Sequence, residues 1–199
     1  MRTFTRQAEK AALGARRTES FTTRFGTGRL TLAGDLPLEL ELPAPGLGPP
    51  AAGGAGARGG GGSAAAPGAR DPWVAKLEAY FAGEPVTFDL DVAAHCRARG
   101  FTAFETAVYT ALAAVPYGRA VSYRDIAHAA GRPNAYRAVG TAMSRNALPV
   151  ILPCHRVIKN DGTPGHYGDD PAWKLRLLRL EGALAAGATK VVRAGEGRA

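Results

Sequence analysis

Cys154 and His155 are neighbours in the run Pro153-Cys154-His155-Arg156-Val157, which follows Asn146-x-x-Pro149-Val150-Ile151-Leu152. A thiol becomes a strong nucleophile only as a thiolate, and a nearby imidazole can take the proton. Successive side chains on an extended strand point to opposite sides. His155 therefore reaches Cys154 only where the backbone bends, or through a water. A carboxylate behind the imidazole would fix its tautomer and raise its basicity. Taken alone, a cysteine flanked by apolar residues has a second reading as inert packing. The other cysteine, Cys96, is far off in sequence, and neither lies in a C-x-x-C pair or in a Cys/His cluster with zinc spacing. No metal site, no cofactor and no structural disulfide are expected. His95, His128 and Cys96 stand in no supporting pattern and are expected to be structural.

The chain has 199 residues, of which 46% are hydrophobic, so a packed core is within reach. It contains no apolar run of about 18 residues, the length a transmembrane helix needs. The start, MRTFTRQAEK, lacks the apolar stretch of a secretory signal. Being Arg-rich and acid-poor it mimics a transit peptide, but a frayed terminus is the simpler reading. A cytoplasmic location and no membrane contact are expected. The net charge of +8 suits a polyanionic partner, because each Lys or Arg placed on phosphate releases condensed counterions. Compositional bias would produce the same surplus: Arg far outnumbers Lys, and Ala and Gly abound.

The elements that must position Cys154 and His155 divide the chain unevenly. Residues 1–43 carry weak alternation (Leu30, Leu32, then Leu36, Leu38, Leu40, Leu42) that predicts one or two strands of a variable N-terminal domain. Residues 44–70 are nearly pure Ala, Gly and Pro, which cannot offset their ordering entropy, and are expected to form a linker or long loop. Residues 71–95 complete the first domain. Asp71 caps a helix with Pro72 at its first position and Trp73, Leu77, Tyr80 and Phe81 on one face; Gly83 ends it. Val86, Phe88 and Leu90 then alternate with polar residues and predict a short strand.

Residues 98–185 form a second domain, followed by a tail over 186–199. Thr102 with Glu105, and Ser122 with Asp125, make two capping boxes. The first opens a helix that Pro116-Tyr117-Gly118 breaks; the second opens a short helix through Ala130. Gly131-Arg132-Pro133 forms a turn, and Asn134 caps the next helix, running to about Arg145. Two short helices joined by a Gly-containing turn form a helix-turn-helix pattern, which generic helical hairpins share. Asn160-Asp161-Gly162 is a turn, and Asp170-Pro171 opens a last helix through Glu181, with Trp173 in its core. The fold class expected is α+β: a small N-terminal α/β domain, then a mainly helical domain with a helix-turn-helix and short strands.

The run from Asn146 to Val157 resembles the active-site signature of the O6-alkylguanine-DNA alkyltransferases, the methylated-DNA–protein-cysteine methyltransferase family. The resemblance extends from about Phe101 to Gly182. It includes Pro116-Tyr117-Gly118, Val121-Ser122-Tyr123, Arg137-Ala138-Val139-Gly140 and Leu177-Leu178-x-x-Glu181-Gly182, in that order. It implies irreversible, single-turnover transfer of an alkyl group from O6-alkylguanine, with O4-alkylthymine as a further substrate, to Cys154. By position, His155 would deprotonate Cys154 through a water and Glu181 would orient His155. Asn146 would hold the bend joining the helix-turn-helix to the Cys segment. Tyr123 would give the leaving guanine a proton, and Arg137 would enter the stack in place of the everted base. Ser122, Tyr123, Ala135, Arg137, Ala138 and Gly140 would face DNA. Pro149, Val150, Tyr167 and Gly168 would line the substrate pocket. The implied partner is double-stranded DNA containing O6-alkylguanine, held through the minor groove by a monomer. Small residues on the second helix permit close approach to sugar and phosphate and read little sequence.

Asp169-Asp170 stands where many family members carry small residues. The pair makes sense as a cap before Pro171 and also sets negative charge at the pocket's edge. Three other readings are weighed. A non-catalytic alkylguanine sensor would lack the acceptor cysteine. A transcription regulator would carry base-reading polar residues on the second helix. A Cys-His hydrolase would need an oxyanion hole, which sequence does not locate.

Overall fold

The structure, a computed structural model, describes residues 15–44, 70–165, 167–168 and 170–191. Nearly all of the expected linker, the first 14 residues of the N-terminal segment and positions 192–199 of the tail lie outside the described residues. The chain divides into two compact units, Met1–Arg99 and Gly100–Ala199.

The first unit is built on a three-stranded antiparallel sheet in the order β1 (Arg16–Thr23), β2 (Gly26–Ala33), β3 (Leu36–Ala44). The leucine alternation read as one or two strands is a hairpin: Leu30 pairs with Leu40, and both, with Leu32 and Leu38, are buried. Helix α1 (Pro72–Ala82) starts as expected, with the Asp71 carboxylate accepting from Trp73 N at 2.8 Å. Its buried Val74, Leu77, Tyr80 and Phe81 pack on the sheet, Phe81 stacking on Phe21 at 5.8 Å between centroids. The strand expected over Val86–Leu90 does not form. The alternation is real, and Phe88 stacks on Trp73, but no neighbouring chain supplies a ladder. A helix α2 (Val92–Arg99) follows instead, capped by Asp91 through Ala94 N at 2.8 Å. It buries His95, whose Nδ1 lies 3.2 Å from Pro37 O, and Cys96, both of them structural as expected.

In the second unit both capping boxes form as read. Thr102 and Glu105 open α3 (Ala103–Ala113); Ser122 and Asp125 open α4 (Tyr123–Ala129). After the turn, α5 (Tyr136–Met143) begins one residue later than expected. Ala135, not Asn134, occupies the cap position, and no side chain caps the helix. The packing of Val139, Ala142 and Met143 therefore holds α5 in place of a cap. A two-residue parallel pairing of β4 (Val121–Ser122) with β5 (Val157–Ile158) sets the register of the site. Because the pairing is parallel, Tyr123, which follows β4, and Cys154, His155 and Arg156, which precede β5, leave it at opposite ends. Helix α6 (Pro171–Leu180) is capped by Asp170, whose carboxylate accepts from Ala172 N at 2.9 Å. Past position 185 the chain returns to the core: Val191 N donates to Gly162 O at 2.9 Å, and Val191 packs with Ile158, Leu178 and Leu184. No helix among the described residues is long and apolar enough to cross a membrane.

Candidate active site

Cys154 does not lie on an extended strand. Cys154–Arg156 is a single 3-10 turn, and this bend lets the thiol and the adjacent imidazole serve one site. The segment leading into it is tight. Val150 is buried with φ of 76°, a left-handed conformation uncommon for a β-branched residue. Leu152 N donates to Leu148 O, and Cys154 N to Leu152 O, each at 2.8 Å. Asn146 braces the same loop from inside. Its Nδ2 donates to Leu152 O at 2.8 Å and to Cys154 Sγ at 3.0 Å, while its Oδ1 accepts from Leu148 N at 3.0 Å. Pro149 and Val150 thus sit in the turn between the brace and the thiol.

His155 is fully buried, and its Nε2 lies 2.7 Å from Glu181 Oε1. Glu181 closes α6 at its C-cap, where the helix dipole disfavours a carboxylate. The buried partners explain it. Arg156 Nε and Nη2 donate to both carboxylate oxygens at 2.9–3.2 Å, and Gly118 N donates to Oε2 at 3.1 Å. Arg156 also donates to Val115 O. Burial acts to raise the Glu181 pKa, but hydrogen bonds and charge from His155 and Arg156 outweigh it and hold the carboxyl at about 2. Burial pushes the imidazole of His155 below its ordinary value, against the pull of Glu181, so His155 is neutral at pH 7.

The thiol is itself pushed up by burial. Asn146, the charge of Lys174 and the Tyr167 hydroxyl act the other way and favour the thiolate. Lys174 is buried; its Nζ donates to Val157 O at 2.6 Å and lies 5.9 Å over the Tyr123 ring and 6.0 Å over that of Tyr167. Burial lowers its pKa to about 8. Tyr123 is half-buried, and burial together with Cys154 raises its pKa, so the phenol keeps its proton at pH 7.

The structure thus gathers Cys154, His155, Glu181, Asn146, Tyr123 and Tyr167. Ser122 is buried, and its hydroxyl accepts from Asp125 N at 3.2 Å as the cap of α4. Arg137 and Ala138 are exposed on α5, with Ala135 and Gly140 half-buried beside them. Gly168 is exposed, with φ of 47°, and a Cβ there would meet nothing within 4 Å. Asp169, half of the acidic pair, lies outside the described residues. Sequence reasoning missed Lys174 and the role of Arg156. Lys174 did leave a signal, since it sits on the stripe of Trp173, Leu177, Leu178 and Glu181 that α6 turns inward. No group of three or more His, Cys, Asp or Glu side chains arranged for a metal occurs among the described residues.

Residues 103–183 match the family described as 6-O-methylguanine DNA methyltransferase, DNA binding domain. Over 119 residues the chain is 44% identical to the methylated-DNA–protein-cysteine methyltransferase of Mycobacterium tuberculosis, covering 60% of this chain and 69% of that protein. The chain belongs to this methyltransferase family. The enzyme of the same name from Methanosarcina barkeri is 44% identical over 106 residues, which span 53% of this chain and 64% of that relative. A solved structure of the Mycobacterium tuberculosis OGT in complex with DNA aligns with 83% of this chain and 92% of its own, at 31% identity and a TM-score of 0.61. That coverage takes in both units, so the α+β architecture is shared with a methyltransferase solved on DNA. The α3–α6 segment, with the braced Cys154 turn, is the part that matches the family's DNA-binding domain.

Proposed function

We propose that this chain repairs double-stranded DNA by taking an alkyl group from O6 of guanine onto Cys154, once per molecule. The observation that carries this reading is the setting of Cys154. Its thiol receives the Asn146 amide at 3.0 Å and feels the charge of Lys174 and the Tyr167 hydroxyl, while the adjacent residue, His155, is buried against Glu181 at 2.7 Å. Membership of a family whose relatives are named methylated-DNA–protein-cysteine methyltransferases supports it.

The steps balance without a cofactor. Glu181 holds His155 by Nε2, so the other ring nitrogen, Nδ1, takes the thiol proton through a water. The Asn146 amide and the Lys174 cation steady the thiolate as it forms. Sγ attacks the alkyl carbon, the carbon–O6 bond breaks and its electron pair passes to the guanine ring. Tyr123, protonated at neutral pH, donates to the leaving base and is reprotonated from the relay. The products are a thioether on Cys154 and unmodified guanine. A thioether is a poor leaving group, so the thiol does not return. Arg137 occupies the stack vacated by the base, and the small Ala135, Ala138 and Gly140 admit the minor groove. All these residues belong to one unit of one chain, which supports action as a monomer.

Stoichiometry tests the single-use claim. With an excess of duplex carrying O6-methylguanine, repaired guanine should rise to one equivalent per protein and stop. Continued turnover would reject self-alkylation. Tight binding with no repaired guanine would favour a sensor instead.

A further inference from the structure

On α5, Tyr136 shares the inward stripe of Val139, Gly140 and Met143 by helical spacing. Val139 and Met143 are buried and Gly140 is half-buried, yet Tyr136 is 37% exposed and is the large apolar side chain left on the surface of the described residues. The reason is a cleft of about 370 Å³ in front of it, walled by Tyr123, Arg124, Tyr136, Gly140, Lys159 and Asn160. Tyr123 is on this wall and Cys154 and Tyr167 are not, so the cleft adjoins the Cys154 cluster at Tyr123. Its walls are largely apolar, its charges are all positive, and no carboxylate lines it. Two acids adjoin the lining in sequence: the Asp125 carboxylate is turned back to cap α4 at Ser122 N, 2.7 Å away, and that of Asp161 accepts from Thr163 N at 3.0 Å and Thr163 Oγ1 at 2.6 Å. The guanidinium of Arg124 lies 5.6 Å, and that of Arg137 5.8 Å, from the centre of the Tyr136 ring.

We propose that this cleft holds the nucleotide next to the damaged guanine, with its base or sugar against the Tyr136 ring and its phosphates on Arg124 and Lys159. The assignment rests on the reading of the chain as a DNA alkyltransferase and adds a subsite to it. An aromatic ring beside cations is the arrangement that retains unstacked nucleotides without reading sequence, because every base has a π-face. Minor-groove proteins also insert such side chains to open a base step. The cation–aromatic contacts keep Arg124 and Arg137 next to the ring, so the neighbour is held at the point where Arg137 enters the stack. Tyr136 is thereby a positioning residue for eversion, distinct from the groups that touch the reacting carbon.

The test uses the full chain and duplexes with 2-aminopurine on one side or the other of O6-methylguanine. Binding of the natural chain should change the 2-aminopurine fluorescence on one side, and Tyr136→Ala should abolish that change. Tyr136→Ala should weaken duplex affinity about tenfold, whereas Tyr136→Phe, which keeps the ring, should stay within about twofold of the natural chain. An abasic position on the responding side should cost the natural chain the same factor and cost Tyr136→Ala nothing more. Transfer from free O6-benzylguanine to Cys154, which needs no neighbour, should be unchanged in both variants. Equal affinity for Tyr136→Ala and the natural chain, or equal sensitivity to the abasic neighbour, would overturn the subsite. Loss of transfer from the free base would show damage to the pocket and would also overturn it. If the natural chain bound duplex but alkylated on neither substrate, the repair reading would fall, while affinity and fluorescence would still decide the place of Tyr136.

Discussion

At the residue scale, the chemistry depends on keeping a buried imidazole neutral next to a buried carboxylate. Burial does most of this, and the positive charges of Arg156 and Lys174 add to it against the pull of Glu181. Arg156 also shares the Glu181 carboxylate with His155, holding both of its oxygens. Two pH limits follow. Glu181, held at about 2 against an ordinary 4.5, stabilises the fold fully above 4.5, and that contribution is lost as pH falls through 2. His155 lies below its ordinary 6.5, so its contribution is complete above 6.5 and is lost as acid protonates the imidazole. Transfer to the free base should therefore hold near neutrality and fall on an acid limb lying below 6.5. Glu181→Gln should slow transfer by about 10–100-fold and move that limb to lower pH, since a neutral amide no longer favours the imidazolium. It should also cost about 3 kcal/mol by leaving Arg156 buried without its counter-charge. A pH–rate profile and urea titration read both effects; an unmoved limb would remove Glu181 from the relay.

At the element scale, the site hangs on two short devices: the parallel bridge between β4 and β5, and the close approach of the Gly118 turn to the end of α6. Gly118 has φ of 74°, and a Cβ there would stand 3.0 Å from Glu181 O, while its N–H holds Glu181 Oε2. Gly131 has the same φ but open space around it. Gly131→Ala should cost about 1–2 kcal/mol from backbone strain alone. Gly118→Ala should cost more and should slow transfer, because it displaces the carboxylate. Equal losses of stability and rate in the two variants would mean the contact has no bearing on the site. These same elements show which features sequence reveals. The capping boxes at Thr102 and Ser122 were legible because donor and acceptor are three residues apart. The ladder absent at Val86–Leu90 was not, since alternation reports a buried side and says nothing of a partner strand. Asn134 misled because a good cap residue does not form a cap where packing starts the helix later. The bend at Cys154 was anticipated only as a condition for His155 to act. Lys174 and Arg156 stayed hidden, since long cations are ordinarily surface residues and their burial is settled by tertiary contacts.

At the scale of the whole molecule, a net charge of +8 becomes informative only once its placement is known. Arg124 and Lys159 line one cleft, and Arg137 stands beside the Tyr136 ring that walls it. If these three cations displace counterions, the logarithm of duplex affinity should fall with the logarithm of salt at a slope of about −3. Anisotropy titrations across salt concentrations measure it, and a flat response would reject a phosphate-led interface. The division of labour between the units is uneven, because every group assigned to chemistry or DNA lies in Gly100–Ala199.

The central claim is that Cys154 keeps what it removes. Incubation with an oligonucleotide duplex bearing O6-methylguanine should add one methylene to the intact protein, about 14 Da, found on the peptide containing Cys154 and missing in Cys154→Ala. Lesion binding with no gain in mass, or a gain on any other residue, would contradict it.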